Sequence, residues 1–230
     1  MILRSLLVAG AAFATTGLCL SIAGCGSPYG MVVRRSDAPA SQPPPDIKAV
    51  IGFDPAEMMA QQRLMQDLQT DPDLPAWHDQ REKMALAIGD RVFDKSFDRT
   101  FDSMIIALAN LGCRVNNMER VSGYITSSLP ELPPELSAQL KKQALSEYAQ
   151  AKGYPRSVVE SNSPFNANMA GAITERMTAG ITLTMSRQGS EQTKVKLRFN
   201  NVYYPRTVEE LYKRVWDAVD KQIFLDRTVG

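Results

Sequence analysis

The sequence predicts an α+β domain in which an antiparallel sheet of about five strands carries helices packed mainly on one face. Residues 181–186 and 194–199 alternate apolar with polar side chains, and a turn sequence at 188–190 separates them. This alternation is typical of a hairpin with one buried face. Apolar residues between positions 96 and 112 recur at spacings of three and four, as on an amphipathic helix. Together these patterns indicate a sheet-and-helix layer.

The folded domain is predicted to begin near Arg81. The stretch from Met84 to Asp94 is predicted to be a strand that leads into the amphipathic helix, with Ser96 as the N-cap. Gly112 follows that helix at a position where a left-handed backbone favours glycine. The inner face of the helix is predicted to consist of Phe97, Phe101, Met104, Ile105, Leu108 and Leu111.

A strand pair is predicted after this helix. Cys113 and Val115 should start its first strand, Asn116-Asn117 should form the turn, and residues 121–127 should form the return strand. The pair would add two antiparallel strands to the predicted hairpin.

The second half of the chain is predicted to contain two more helices. One opens at residues 132–135 and runs to about Ala151, and a long loop over residues 156–172 follows it. The last helix opens with Thr207 and Glu210 in capping-box spacing. Its inner face is predicted to be Val208, Leu211, Val215, Val219 and Ile223, extended by Trp216 and Phe224.

The first residues have the parts of a secretory signal: Arg4, an apolar stretch over 6–22, and small residues before Cys25. The sequence Ile22-Ala23-Gly24-Cys25 resembles the lipobox of bacterial lipoproteins. That resemblance implies signal cleavage between Gly24 and Cys25, and lipidation of Cys25 by a diacylglyceryl thioether, usually with an acyl chain such as palmitate on the new amine. An uncleaved transmembrane helix and an ordinary secreted protein are the alternatives.

Gly26 follows the predicted lipidated cysteine. By resemblance to the sorting rule of proteobacterial lipoproteins, the absence of Asp there implies localisation at the outer membrane, facing the periplasm. The predicted organisation is a signal peptide over 1–24, a lipidated Cys and flexible Pro-rich tether over 25–53, a helical segment over 54–75, and the α+β domain over 81–228.

The helical segment is predicted to be capped by Asp54 and to run from Pro55 to Thr70. Two interpretations of its methionines are open: they form an apolar face that binds a partner, or they pack on the chain's own domain. The residues concerned are Met58, Met59 and Met65.

Charge and cysteine content exclude some functions. With 26 basic and 25 acidic residues the net charge is +1, so no nucleic-acid partner is expected. After cleavage and lipidation only Cys113 keeps a free thiol, so the mature chain can form no internal disulfide. Cys113 is predicted to be a small buried residue, with a redox or nucleophilic role as the alternative.

No catalytic constellation is found. His78 is the single histidine and is predicted to lie on the surface, and no Gly-x-Ser-x-Gly elbow accompanies it. One histidine and one thiol do not supply a zinc site. No catalytic residue, metal site or cofactor is therefore predicted, and the chain is not expected to be an enzyme. Lys194, Lys196 and Arg198 are predicted to be a solvated strand face, with an anionic polymer or lipid as the alternative contact.

Three segments resemble a known family. They are Phe97-Asp98-Arg99-Thr100-Phe101, Ala107-Leu108-Ala109-Asn110-Leu111-Gly112 and Gly123-Tyr124-Ile125-Thr126. They are loosely similar to the helix-grip domains of bacterial envelope lipoproteins, such as those in a lipoprotein component of the outer-membrane β-barrel assembly machine. The resemblance covers about half of the mature chain. It implies a helix-grip-like fold and brings no catalytic residues.

The expected function is a non-enzymatic, lipid-anchored periplasmic module. It would be held to the membrane by its N-terminal lipid and would bind another envelope component, in outer-membrane assembly or maintenance. The expected contact regions are the helix Pro55–Thr70 and the loop 156–172. A carrier or enzyme with an apolar ligand pocket between sheet and helices is the alternative, and a structural contact with the cell wall is a third.

Overall fold

The computed structural model describes residues 54–160 and 178–228. The signal peptide, Cys25, the tether and residues 161–172 of the predicted loop lie outside the described residues, whereas residues 157–160 of that loop are helical, contrary to the prediction. The helices are α1 (Pro55–Thr70), α2 (Pro75–Ile88), α3 (Phe97–Asn110), α4 (Pro134–Ala151), α5 (Ser157–Glu160) and α6 (Pro205–Thr228). The strands are β1 (Asp90–Phe93), β2 (Val115–Glu119), β3 (Tyr124–Ser127), β4 (Gly180–Arg187) and β5 (Thr193–Asn200).

The five strands form one antiparallel sheet in the order β1-β5-β4-β3-β2. Ile125, Leu183 and Leu197 occupy one row across β3, β4 and β5, and all three are fully buried. The next row carries Thr184 between Tyr124 and Lys196 on the opposite face. The predicted α+β class, strand number and hairpin are confirmed. The helix-grip-like packing stays a prediction.

Helices α3 and α6 pack against each other on the buried face of this sheet. The apolar spacing of α3 predicted this contact, although Ile105 and Leu111 are only half-buried at its margin. Gly112 ends α3 with φ of 74°, as predicted. The side chains that fill the space between sheet and helices include Phe97, Phe101, Met104, Leu108, Leu211, Val215, Trp216 and Val219.

A second buried cluster joins α1, the start of α2, α4 and α5. Trp77 lies at its centre, with ring centroids 6.0 Å from Tyr148 and 5.3 Å from Tyr204. Leu64 and Leu68 of α1 are also buried there. The prediction that the folded domain begins near Arg81 is therefore wrong, because α1 already contributes core residues.

Helix α2 corrects a second boundary. The sequence predicts a strand from Met84 to Asp94, but α2 runs to Ile88 and only Asp90–Phe93 is extended. Pro75 stands at the start of α2, where proline is well tolerated, and Trp77 is the buried residue of the helix. Since a single buried residue gives no apolar periodicity, the sequence pattern does not indicate this helix.

The strand pair after α3 has a different turn from the predicted one. Asn116 and Asn117 lie within β2, and the chain turns at residues 120–123, where Gly123 has φ of 69°. Strand β2 is at the edge of the sheet, and its residues 116–119 are exposed. An exposed edge strand needs no apolar alternation, so its asparagines resemble a turn in the sequence.

The start of α6 is also corrected. The helix begins at Pro205, and Thr207 is buried inside its first turn, where its hydroxyl oxygen has no hydrogen-bond partner in the described part of the chain. A capping box at Thr207 and Glu210 is therefore wrong. The predicted inner face is confirmed and Trp216 extends it, whereas Phe224 is 64 % exposed and does not.

Candidate functional site

The predicted lipidation and cleavage residues, Cys25 and Gly24, lie outside the described residues. Cys113 is buried, as predicted, but it lies between α3 and β2 and does not start the strand. Burial raises the pKa of its thiol to about 11. The thiolate is the nucleophilic form, so this side chain is poorly suited to covalent chemistry at neutral pH.

His78 lies on α2 with 66 % of its side chain exposed, so its predicted surface position is confirmed. Asp73 is its acidic neighbour, at 3.9 Å, but that carboxylate binds Arg81 more closely, with two hydrogen bonds of 2.7 and 2.6 Å. Within residues 54–160 and 178–228, no group of three or more His, Cys, Asp and Glu side chains could hold a metal ion.

The cationic stripe on β5 is partly neutralised by one carboxylate. Asp90 lies 3.2 Å from the Lys194 ammonium and 2.8 Å from the Arg198 guanidinium. Burial alone would raise the pKa of Asp90, but the hydrogen bonds from Arg198 and Lys194 outweigh it and lower that pKa. Lys196 stays exposed between them. The stripe is largely a solvated face, as predicted.

A groove of about 650 Å³ runs along one rim of the sheet. We call it the rim groove: it is bounded by the start of β2, the end of β3 and the segment after it, the start of β4 and the end of β5. Its volume is within the range of small-molecule and peptide sites. The polar side chains that line it include Arg114, Asn116, Thr126, Glu131, Thr178 and Asn200.

Backbone hydrogen bonds set the position of Arg114 in this groove. Gly112 directs the chain out of α3, and Arg114 then exchanges two bonds with Ser128 beyond β3. The Arg114 N–H donates to the Ser128 hydroxyl at 2.8 Å, and the Ser128 N–H donates to the Arg114 carbonyl at 2.8 Å. Both backbone groups of Arg114 are thus satisfied by Ser128.

The other end of the rim groove is closed by hydrogen bonds within the protein. The amide of Asn200 donates to the Thr182 hydroxyl at 2.7 Å. The amide of Asn201 donates to the Thr178 hydroxyl at 2.9 Å, and Asn201 itself has a left-handed backbone with φ of 56°. These groups already have partners and give this end a fixed shape.

The groove end near β2 is different. In the described part of the chain, the side chains of Arg114, Asn116, Thr126 and Glu131 make no hydrogen bond or ion pair. One cation, one anion, one amide and one hydroxyl therefore line the same groove without partners among residues 54–160 and 178–228. This arrangement can donate and accept hydrogen bonds and can bind both signs of charge.

A smaller pocket of about 170 Å³ lies between α2, β5 and α6. Its two guanidinium groups are already used: Arg81 binds Asp73 and donates to the Tyr203 carbonyl at 2.5 Å, and Arg198 binds Asp90. A ligand that bound these guanidinium groups would have to displace those bonds, so the rim groove is the better candidate.

The predicted methionine face is divided. Met58 and Met59 are 47 % and 54 % exposed at the start of α1, whereas Met65 packs against the second cluster. Only the first two therefore remain available to a partner.

A search with family models found no match to this chain, and searches of the curated proteins and of the solved structures found none either. None of the helices within residues 54–160 and 178–228 is both long and apolar enough to cross a membrane.

Sequence reasoning missed the rim groove. The groove residues without hydrogen-bond partners in the described structure come from β2, from β3 and from the segments that flank this strand pair. None of them belongs to a recognisable motif. The pairing of β2 with β3 brings them together, and the sequence pattern gives no sign of this arrangement because it places the turn of the pair at Asn116-Asn117, inside β2.

Proposed function

We propose that this protein is a non-enzymatic, lipid-anchored periplasmic module that binds another envelope component through its rim groove. The supporting observation is the set of polar side chains at one end of that groove, Arg114, Asn116, Thr126 and Glu131, that lack partners within the described structure. Polar groups that the protein leaves unpaired in a concave surface are available to a ligand. The proposed location is the outer membrane, with the lipid on Cys25 as the anchor and envelope assembly or maintenance as the process.

The packing of the main core supports recognition at the surface. Large side chains, among them Trp216, Phe101 and Met104, fill the space between the sheet and α3 and α6. An apolar ligand could enter there only by displacing them, at the cost of their packing. The contrast with the open, polar rim groove favours a binding module over a carrier of apolar molecules.

Affinity purification from detergent-solubilised envelopes tests the proposal. The wild-type protein should enrich a distinct partner, and the triple variant R114A/N116A/E131A should lose it. The matched control R99A/N110A/E209A replaces the same residue types at exposed positions outside the groove lining. Equal enrichment by wild type and the groove variant would contradict the groove as the contact surface.

A second contact is proposed at the start of α1, where Met58 and Met59 are exposed. The variant M58S/M59S should weaken partner enrichment. The control L86S replaces an apolar residue of α2 that is 74 % exposed. If L86S weakens enrichment as much as M58S/M59S does, a specific contact at α1 is rejected.

The anchor has a separate test. With Cys25→Ser, the thiol that would carry the lipid is absent, so the chain should persist as a larger precursor without acyl label. Labelling with a fatty-acid probe followed by gel electrophoresis measures both properties. Undiminished labelling of the Cys25→Ser protein would reject the anchor.

A further inference from the structure

We infer that the rim groove binds a short peptide chain that carries both a free ammonium and a free carboxylate group. The inference rests on the proposed function in taking the rim groove as the contact surface, and it adds the chemical class of the ligand.

The two charged side chains of the groove determine this class. The Arg114 guanidinium presents a planar set of N–H donors that fits a carboxylate, often with two parallel hydrogen bonds. The Glu131 carboxylate has only acceptors and fits an ammonium group. Neither is neutralised within the described structure, and they do not pair with each other although they line one groove. A ligand with one charge of each sign would satisfy both.

Connectivity places both charges at the same end of the groove. Arg114 is held to Ser128 by two hydrogen bonds, and Glu131 follows Ser128 by only three residues. The Cα atoms of Ser128 and Glu131 are therefore at most about 11 Å apart. An extended dipeptide spans roughly 7 Å, which lies within this limit.

The neutral side chains of the rim groove can bind the peptide group of such a ligand. Asn116 offers an amide donor and acceptor, and Thr126 offers a hydroxyl, and neither has a partner in the described residues. A peptide group has one N–H and one C=O and can bind such groups. An apolar ligand would use none of these groups, and a polyanion would face Glu131.

The test is a titration of the full-length protein in detergent, followed by NMR, with four forms of one probe. The forms are Ala-Ala, N-acetyl-Ala-Ala, Ala-Ala amide and the doubly blocked dipeptide. Each block removes one charge, so each should weaken binding about three- to fivefold, as expected for exposed ion pairs. Equal binding of all four forms, or binding of none, would overturn the inference.

Two single variants separate recognition from general damage. R114M should abolish the preference for a free carboxylate and keep the preference for a free ammonium. E131Q should do the reverse. A variant that merely disturbed the fold would lose both preferences together, so loss of both in each variant would also overturn the inference.

The failure of this inference is distinguishable from failure of the proposed function. If R114A/N116A/E131A loses its envelope partner while no dipeptide binds, the contact surface stands and the ligand class is wrong. If the dipeptide preferences follow R114M and E131Q while partner enrichment is unchanged in the triple variant, the ligand class stands and the proposed contact surface is wrong.

Peptide segments with one free ammonium and one free carboxylate have two sources in an envelope: the short peptides of the cell wall, and a chain end of a partner protein that also carries a side chain of the opposite charge. Sedimentation with purified peptidoglycan distinguishes them. Co-sedimentation of wild type that R114M and E131Q reduce assigns the ligand to the wall. Dipeptide binding without co-sedimentation assigns it to a protein partner.

Discussion

The indole N–H of Trp216 donates a hydrogen bond of 2.8 Å to the carbonyl oxygen of Ile88, which links α6 to the last residue of α2. Trp216 is buried, and the guanidinium carbon of Arg91 lies 4.7 Å from the centre of its ring. One side chain thus connects the long C-terminal helix, the end of α2 and strand β1.

Replacing Trp216 by Phe tests this link. The variant removes the side-chain donor to the Ile88 carbonyl and leaves a gap beside the smaller ring. We expect the free energy of unfolding to fall by about 2 kcal/mol, measured by urea denaturation. The exposed control Leu86→Ala should change it by less than about 0.5 kcal/mol. Equal losses in the two variants would show that the bond contributes little.

The turn between β2 and β3 predicts that replacing Gly123 by alanine costs more stability than the same replacement at Gly153. Gly123 and Gly153 both have positive φ, but a Cβ at Gly123 would overlap the Met185 carbonyl oxygen, whereas one at Gly153 would meet nothing within 4 Å. Gly153→Ala should cost about 1 kcal/mol of stability, and Gly123→Ala about 3 kcal/mol. Thermal and urea unfolding measure both. Similar losses of stability at the two positions would contradict the close contact between Gly123 and the Met185 carbonyl.

The buried thiol of Cys113 should react slowly in the folded protein. Burial raises its pKa to about 11 from the ordinary value of 9.0, so the thiolate fraction at pH 8 is lower by about 100-fold. In a C19S/C25S background, an aromatic disulfide reagent should modify the native protein at least about 100-fold more slowly than the urea-unfolded protein. Comparable rates would mean that Cys113 is accessible.

Tyr154 gives the second helical cluster a pH dependence. Burial and a 2.7 Å hydrogen bond to Asp67 raise the pKa of its hydroxyl to about 12. The protonated phenol favours folding, so its contribution is complete below about pH 10 and is lost as the pH rises from 10 to 12. The stability difference between wild type and Tyr154→Phe should therefore be constant at neutral pH and fall over that interval. A difference that grows with pH would contradict the assignment.

Much of the fold could be predicted from local patterns because those elements bury one regular face. The alternation in β4 and β5 and the helical spacing in α3 and α6 both arise from packing against the same core. Patterns failed where an element buries few side chains. Helix α2 buries Trp77 and little else, and edge strand β2 buries almost nothing. Phe224 continues the spacing of α6 but lies near the end of the helix, where it stays exposed.

The candidate site could not be predicted in the same way. Arg114 and Glu131 are ordinary surface residues in the sequence, and the pairing of β2 with β3, extended by the two hydrogen bonds between Arg114 and Ser128, brings their segments together. The polar character of the groove is thus a property of the tertiary structure and not of any segment.

The neighbour of β1 in the sheet has a consequence for how the chain acquires its structure. Asp90 pairs with Lys196, so β1 can pair only after a strand about 100 residues downstream has been synthesised. A growing polypeptide that has reached only the end of α4 still lacks β4, β5 and α6, which cover the apolar side of α3. Ordering of this core is therefore postponed until α6 has been synthesised. For a chain that is secreted as proposed, this delay keeps the polypeptide unfolded while it passes through a narrow export channel.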